Sequence, residues 1–207
     1  MPRNRAVCRK SASRRLVRAI GRRLGSLARR QDGVAAVEFA LVAPVMILLW
    51  IGGVEVTQAL SVDRKVTDLA SSTGDLVARW KTLTYADVEN IFDIAEGVMY
   101  PYDGSAADMV ITAVDVDSKG NATVAWSRAR GSHAAYDKSK NVTAQIDANL
   151  RVPNSQIIMS EAYYTYTPSI GYVITGSLHL ASTGYFVPRL TNKVELCNNN
   201  SSGKICS

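Results

Sequence analysis

One stretch of this chain limits its possible folds more than any other. From Val34 to Val54, the twenty-one residues are all apolar, glycine or proline, with the single exception of Glu38. As an α-helix they extend about 30 Å, which matches the hydrocarbon core of a bilayer. Pro44 breaks helices in water but is tolerated in membrane helices. The run therefore predicts a helix that crosses a membrane once.

Two other interpretations of the run are less favourable. A buried helix of a soluble core rarely extends this far without a polar face. A secretory signal peptide has a shorter apolar core followed by a small-x-small cleavage site. The residues that follow here offer only a weak match at Thr57 and Ala59. The transmembrane interpretation is therefore preferred.

Basic side chains are concentrated before the run. Residues 1–32 contain eleven Lys and Arg against one acid, Asp32, whereas the remainder contains thirteen against seventeen acids. Such an arm can bind nucleic acid, contact anionic lipid or orient a membrane span. Because it adjoins the apolar run and has no aromatic residues among its arginines, we expect the third role and no nucleic-acid partner. The N-terminus is then cytoplasmic, and the residues after about 57 lie on the far side.

The apolar positions after the run keep helical spacing. They recur at steps of three and four, as Val62, Val66, Leu69, Thr73, Leu76 and Trp80. This spacing predicts one long helix that leaves the membrane with a single apolar stripe. The stripe needs cover, either from the chain's own exported domain, which we expect, or from another subunit.

The rest of the chain predicts a second helix followed by strands. Thr84 and Asp87 can form a capping box for a helix that ends near Gly97. MVITAVDV and NATVAWSRA are typical of a β-hairpin, QIIMSEAYYTYT of a long strand and TNKVEL of a last strand. IGYVITGSLHLAST is ambiguous between strand and short helix. Helices followed by strands indicate an α+β fold with a mostly antiparallel sheet.

These predictions divide the chain into three regions. Residues 1–33 form a basic cytoplasmic leader, residues 34–57 the transmembrane helix, and residues 58–207 an exported α+β domain that ends in a disulfide loop.

Cys197 and Cys206 flank a polar octet on the predicted exported side. A disulfide between them is possible in an oxidising compartment. Two free thiols are the alternative, and a zinc pair is less favourable because no histidine lies nearby in the sequence. His133 and His179, the two histidines of the chain, have no evident acidic or cysteine partner.

The sequence contains no motif for catalysis or for a metal site. It has no G-x-S-x-G, H-E-x-x-H, C-x-x-C or phosphate-binding glycine loop. Asp115, Asp117 and Gly120 imitate the start of a calcium loop, but Lys119 and Trp126 stand where oxygen ligands are needed. We therefore expect a plain hairpin turn there, and a protein that is not an enzyme and uses no metal and no cofactor.

A resemblance to a known family rests on the junction of arm and apolar run. Gly33 followed by V-A-A-V-E-F, with Glu38 five residues past the glycine, looks like a type IV prepilin processing site. RRQDGVAAVEFALVAPVMILL resembles the N-terminus of TadE/TadG-like proteins, the pseudopilin-like components of tight-adherence (Tad, Flp-type) pilus systems. MYPYDGS, VAWSRA, SEAYYTYTP and VPRLTN resemble the exported part of this family, with an E-x-x-Y-x-Y-x-P pattern at Glu161, Tyr164, Tyr166 and Pro168.

The resemblance implies a processing site, an assembly residue and a set of partners. A prepilin peptidase would cut between Gly33 and Val34, and Glu38 would be the residue for recognition and assembly. The helix from Val34 onward would pack among other pilin-like Tad subunits and inner-membrane assembly proteins. The protein would lie in the inner membrane, with its C-terminal domain in the periplasm or outside the cell.

Two functional hypotheses follow. The first is a minor pseudopilin-like structural component of a Tad-type pilus assembly and secretion system, which supports pilus biogenesis and adhesion. The second is a single-pass membrane protein that is never processed and carries an exported binding or adhesion domain.

Overall fold

A computed structural model describes residues 32–168, 170–200 and 203–206. The predicted basic leader lies outside these residues, except for Asp32 and Gly33. The chain divides into two compact units, Met1–Ile51 and Gly52–Ser207.

The first helix, α1, extends from Asp32 to Ala78 and continues through Pro44. Its length confirms the prediction of one helix that continues well past the apolar run. In the first unit its apolar side chains are exposed, for example Phe39 at 73% and Trp50 at 72%. Among the described residues, α1 is the one helix that is long and apolar enough to cross a membrane.

The described residues of the second unit contain the end of α1, one further α-helix and seven strands, besides short 3-10 turns. These elements are β1 (Thr82–Thr84), α2 (Tyr85–Glu96), β2 (Asp108–Val116), β3 (Ala122–Arg130), β4 (Gln156–Tyr166), β5 (Leu178–Phe186), β6 (Glu195–Asn200) and β7 (Gly203–Cys206). Four strands form an antiparallel sheet in the order β3-β2-β4-β5. The fold is α+β with a mostly antiparallel sheet, as the sequence predicts.

The local signals for α2 and for the first hairpin are confirmed. The Thr84 hydroxyl accepts a hydrogen bond from the Asp87 N–H, and the Asp87 carboxylate accepts one from the Thr84 N–H. These bonds to Thr84 hold the pKa of Asp87 below its usual value. Between β2 and β3, the Asp117 carboxylate accepts bonds from the N–H groups of Lys119 and Asn121, as a polar hairpin turn requires.

A β-bulge in β3 decides which of its side chains enter the main core, which is the cluster of buried residues that contains the end of α1. Ala113 pairs with Trp126 and Val114 with Val124, so Ala125 has no opposite residue on β2. Because of this extra residue, Trp126 belongs to the cluster that contains α1, whereas Val124 belongs to the cluster on the other face of the sheet.

A second, three-stranded sheet was not foreseen. It has the order β1-β6-β7, with β1 parallel to β6 and β6 antiparallel to β7. The prediction that TNKVEL is the last strand is largely wrong: only Glu195 and Leu196 of this segment lie in β6, which extends to Asn200, and Gly203–Cys206 forms a further strand. The polar C-terminal loop is therefore part of a hairpin formed by β6 and β7. The other edge of β6 pairs with β1.

The apolar stripe of α1 is covered by its own domain. Val62, Val66, Leu69 and Thr73 are buried in the main core, whereas Trp80, beyond the end of the helix, is 44% exposed. The Thr73 hydroxyl donates to the Leu69 carbonyl oxygen at 2.7 Å, so its burial leaves no unpaired donor. Burial of these four residues confirms that the chain covers the stripe with its own second unit, which was the preferred of the two alternatives.

The opposite face of the four-stranded sheet has a cover of its own. Val142 and Ile146, in the long connection 131–155, pack against Val114, Val124 and Ile157 of the sheet. The sheet therefore lies between a helical layer and an irregular layer.

Ion pairs hold α2 along β3. Arg128 reaches Glu89 at 3.1 Å, and Arg130 reaches Asp93 at 2.6 Å and Glu96 at 2.7 Å. Burial alone would lower the pKa of Arg130, but its bonds to these acids raise it above the usual value. The acids are partly exposed, so each pair adds little stability and the network mainly sets orientation.

Gly74 is the position at which α1 approaches the sheet most closely among the glycines of this helix. A Cβ atom built there would lie 2.3 Å from Cδ2 of Phe186 on β5 and 3.0 Å from Cβ of Ser160 on β4. Gly53, on the same helix, has no atom within 4 Å of such a Cβ. Glycine is therefore required at position 74 for packing and not at position 53.

We expect Gly74→Ala to be less stable than Gly53→Ala. Both changes gain the same helix propensity, about 1 kcal/mol, but overpacking at position 74 costs roughly 1–3 kcal/mol. Denaturant unfolding of the full chain in detergent measures the difference, with Trp50 and Trp80 replaced by Phe so that the fluorescence is that of buried Trp126. Equal midpoints for the two variants would show that α1 does not approach the sheet as described.

Candidate functional site

The residues expected to direct processing and assembly lie at the start of α1. Gly33, Val34 and Glu38 are in its first two turns, and all three are exposed. Within the part of the chain that the structure describes, no side chain or backbone group bonds to the Glu38 carboxylate.

A second carboxylate of α1, Glu55, is in the opposite situation. It is fully buried and accepts three backbone hydrogen bonds, from the N–H groups of Tyr172 at 2.8 Å, Val173 at 2.9 Å and Ile174 at 2.8 Å. Bonds between a charged acceptor and N–H donors are about twice as strong as neutral ones. Glu55 therefore attaches the β4–β5 connection to α1.

This attachment explains why the sequence of IGYVITGSLHLAST does not decide between a strand and a helix. The part from Leu178 onward is strand β5, but residues 170–177 are neither strand nor helix. Three of their N–H groups bond to Glu55 instead of to a ladder or a helical turn. Gly171 has a φ of 64°, a conformation that favours glycine and turns the chain just before these donors.

A buried acid also lies on the sheet face opposite α1. Glu161 of β4 is 8% exposed, and its Oε1 accepts hydrogen bonds from the hydroxyls of Tyr136 at 3.2 Å and Tyr163 at 3.1 Å. It lines a cleft of about 330 Å³ together with Lys140, whose Nζ lies 4.7 Å from the centre of the Tyr136 ring. Burial and then the charge of Glu161 raise the pKa of Tyr163 to about 12.

The prediction that His133 has no acidic partner is wrong. Its Nδ1 lies 2.8 Å from Oδ2 of Asp108, and its ring stacks on Tyr163 with 3.8 Å between centres. Asp108 begins β2 and His133 follows the end of β3, so antiparallel pairing brings the two together although they are 25 residues apart. Burial alone would raise the pKa of Asp108, but bonds from Ser132 and His133 hold it below its usual value.

The Ser132, His133 and Asp108 side chains do not form a nucleophilic site. The Ser132 hydroxyl donates to the same Asp108 oxygen that His133 contacts, at 2.5 Å. In a catalytic triad, the histidine lies between the hydroxyl and the carboxylate and takes the hydroxyl proton. Here the carboxylate holds both side chains, so the cluster secures the chain after β3.

The structure contains the disulfide between Cys197 and Cys206, which joins paired positions of β6 and β7. Glu195 lies close to both sulfur atoms. Zinc binds cysteine as the thiolate, and sulfur atoms joined in a disulfide are not thiolates. The two cysteines therefore serve to close the β6–β7 hairpin.

The charge of Glu161 gives a prediction in alkaline solution. Glu161→Gln removes a negative charge that opposes tyrosinate formation, so the pKa of Tyr163 should fall from about 12 toward its ordinary value of 10.0. Because the folded pKa is the higher one, the folded state loses stability as pH rises through this window, and the variant should lose less.

Ultraviolet absorbance titration measures this shift, with Tyr163→Phe in each background to isolate the one tyrosine. Asp93→Asn, on α2 at the other face of the sheet, is the matched control and should leave the titration unchanged. An unshifted titration in Glu161→Gln would contradict the described contact.

Comparison with known proteins gives one match. The family model described as "TadE-like protein" matches residues 33–74, about a fifth of the chain. No curated protein matches, and no solved structure matches. The matched segment begins at Gly33, contains both Glu38 and Glu55, and ends at Gly74, where α1 meets the sheet. Over residues 33–74 the chain therefore matches the TadE-like family, which confirms the resemblance there; the resemblance of the later segments stays a prediction.

Proposed function

We propose that this protein is a minor, pseudopilin-like structural component of a Tad-type pilus assembly system, in which it supports pilus biogenesis and adhesion. The TadE-like family implies a role in Tad pilus assembly. The single observation that carries the proposal is the family match over residues 33–74, the segment that includes the exposed apolar helix. Proteins of this pilus-associated family are typically structural and not enzymes, and the proposal gives this chain a structural role.

In this proposal the three regions have separate roles. The leader 1–33 is cytoplasmic, residues 34–57 cross the inner membrane, and residues 58–207 lie in the periplasm or outside the cell. Exposed apolar side chains surround the first part of α1, among them Phe39, Leu41 and Leu49. Such a helix is suited to lipid and to the helices of other pilin-like Tad subunits and inner-membrane assembly proteins.

Glu38 has a physical role that depends on cleavage. A prepilin peptidase that cuts after Gly33 creates an α-amino group on Val34, with a pKa of about 7.7–8.0, which is largely protonated at neutral pH. This cation lies about one helical turn from the level of Glu38. A neighbouring subunit that is staggered along the bundle can place its carboxylate against the new amino group. Each charge is unfavourable alone in the bilayer and is stabilised by the pair.

We expect Glu38→Ala to insert into the membrane normally but to assemble poorly. The exposed Glu38 has no partner among the described residues of its own chain, so its loss leaves the fold intact and removes only the contact between subunits. Sedimentation of membrane fractions and counts of surface pili measure the two outcomes. Val42→Ala, a nearby exposed position of α1 at 54%, is the control, and normal assembly of Glu38→Ala would refute the role.

The N-terminus of the membrane-extracted protein separates the two functional hypotheses. Intact mass and N-terminal sequencing, with and without the host's prepilin peptidase, should show a mature chain that begins at Val34 only when the peptidase is present. An intact Arg-rich leader in both cases would instead favour an unprocessed single-pass protein with an exported binding or adhesion domain. The cleft beside Glu161 gives that second hypothesis a place for a ligand.

A further inference from the structure

The connection between β4 and β5 presents apolar side chains to its surroundings. Ile170 is 54% exposed, Tyr172 67% and Val173 52%. Large contiguous apolar patches on a protein surface mark sites of contact with a partner or a membrane. The backbone of this loop is fixed, since three successive N–H groups bond to Glu55.

The charges of the chain around the loop are unusually distributed. From residue 162 to residue 188 there is no Asp, Glu, Lys or Arg. The other long connection, 131–155, carries five such residues, Asp137, Lys138, Lys140, Asp147 and Arg151. Both connections join strands of the same sheet, so the sheet to which they belong does not account for the difference in their charged residues.

The loop lies against α1 at the level where the apolar run ends. Glu55 directly follows Val54, the last residue of that run, and a Cβ atom built on Gly52 would be 3.2 Å from a methyl carbon of Val173. On the same part of α1, Val56 is 46% exposed and Leu60 56%. The loop and this part of the helix together offer apolar side chains where a span would leave the bilayer.

We propose that residues 170–174 form a second membrane contact, which rests in the interfacial region of the bilayer that α1 crosses. The inference rests on the proposed function, because it takes α1 as a membrane span. The occupant of this surface is lipid: the segment has no charge for a polar partner, and Tyr172 combines an apolar ring with a polar hydroxyl, as residues of the membrane interface do.

Glu55 is a positioning residue in this arrangement. A carboxylate at the end of a span is unfavourable in lipid unless it is paired. Here the loop backbone supplies the partners, and the same three bonds keep loop N–H groups from facing the bilayer unpaired. The three bonds thus satisfy both the buried carboxylate of the helix and the backbone N–H groups of the loop.

Spin-label depth measurements on the full chain in lipid nanodiscs test the contact. Val173→Cys, in a Cys8→Ser background that keeps the disulfide, carries the label. Val152→Cys is the matched control, since it is also an exposed valine, at 59%, but lies in the charged connection. We expect the label at 173 to be about threefold less accessible to a water-soluble nickel complex than the label at 152, and more accessible to oxygen. Equal accessibility at both positions would overturn the proposal.

A third label separates this proposal from the proposed function. Val45→Cys reports whether the apolar part of α1 lies in lipid. A deep label at 45 with a water-exposed label at 173 would overturn the loop contact and leave the anchor in place. A label at 45 that is accessible to the nickel complex would overturn the anchor itself, and with it the loop contact.

Glu55→Gln tests the positioning role. The amide keeps one acceptor oxygen for three N–H donors, so the loop should detach, and the spectrum of the label at 173 should show greater mobility. The label at 152 should not change, whereas a general loss of stability would mobilise both. An unchanged spectrum at 173 would show that Glu55 does not hold the loop.

Discussion

The packing of α1 against the four-stranded sheet is the interaction on which the rest of the second unit depends. Val62 and Leu69 are completely buried, and Gly74 lets the helix approach β4 and β5 within a distance that excludes a Cβ atom. A glycine in a helix interior costs about 1 kcal/mol relative to alanine. This cost is offset by close contact between helix and sheet, since protein interiors are packed at the density of organic crystals. The same helix that offers apolar groups all round in its first part thus becomes one layer of a protein core.

Two carboxylates of α1, Glu38 and Glu55, show how one chemical group serves two purposes. Glu38 is exposed and is without a bonded partner among the described residues, whereas Glu55 is buried with three backbone donors. An unpaired charge in an apolar setting is unfavourable, so Glu38 favours any arrangement that brings a cation to it. Glu55 is already satisfied and gives the structure a fixed loop. The first residue therefore suits contacts between subunits, and the second suits the architecture of one subunit.

The features that the sequence predicts well are local. The stripe of α1, the Thr84–Asp87 capping box, the β2–β3 hairpin and strand β4 each depend on residues within a few turns or on a single period. The features that it does not predict depend on long-range register. Nothing near Thr82 indicates that β1 pairs with β6, and the partners of Glu55 and His133 are 117 to 119 and 25 residues away. The sequence does indicate that Glu55 has bonding partners, because an acid at the end of an apolar run needs them. Only the fold shows which groups these partners are.

In the proposed function, the subunit leaves the bilayer when it enters a pilus, and this would limit how strongly the loop of residues 170–174 can be held there. Full burial of an aliphatic or aromatic side chain is worth about 1.5–3 kcal/mol, and Ile170, Tyr172 and Val173 would be only partly buried at an interface. The apolar run of α1 has twenty-one residues, so the loop contributes a small fraction of the total membrane affinity. Its contribution is instead geometric: a domain attached at both the helix and the loop cannot rotate freely about the helix axis. In the proposed arrangement, the loop contact would orient the second unit before assembly and would be weak enough to release during it.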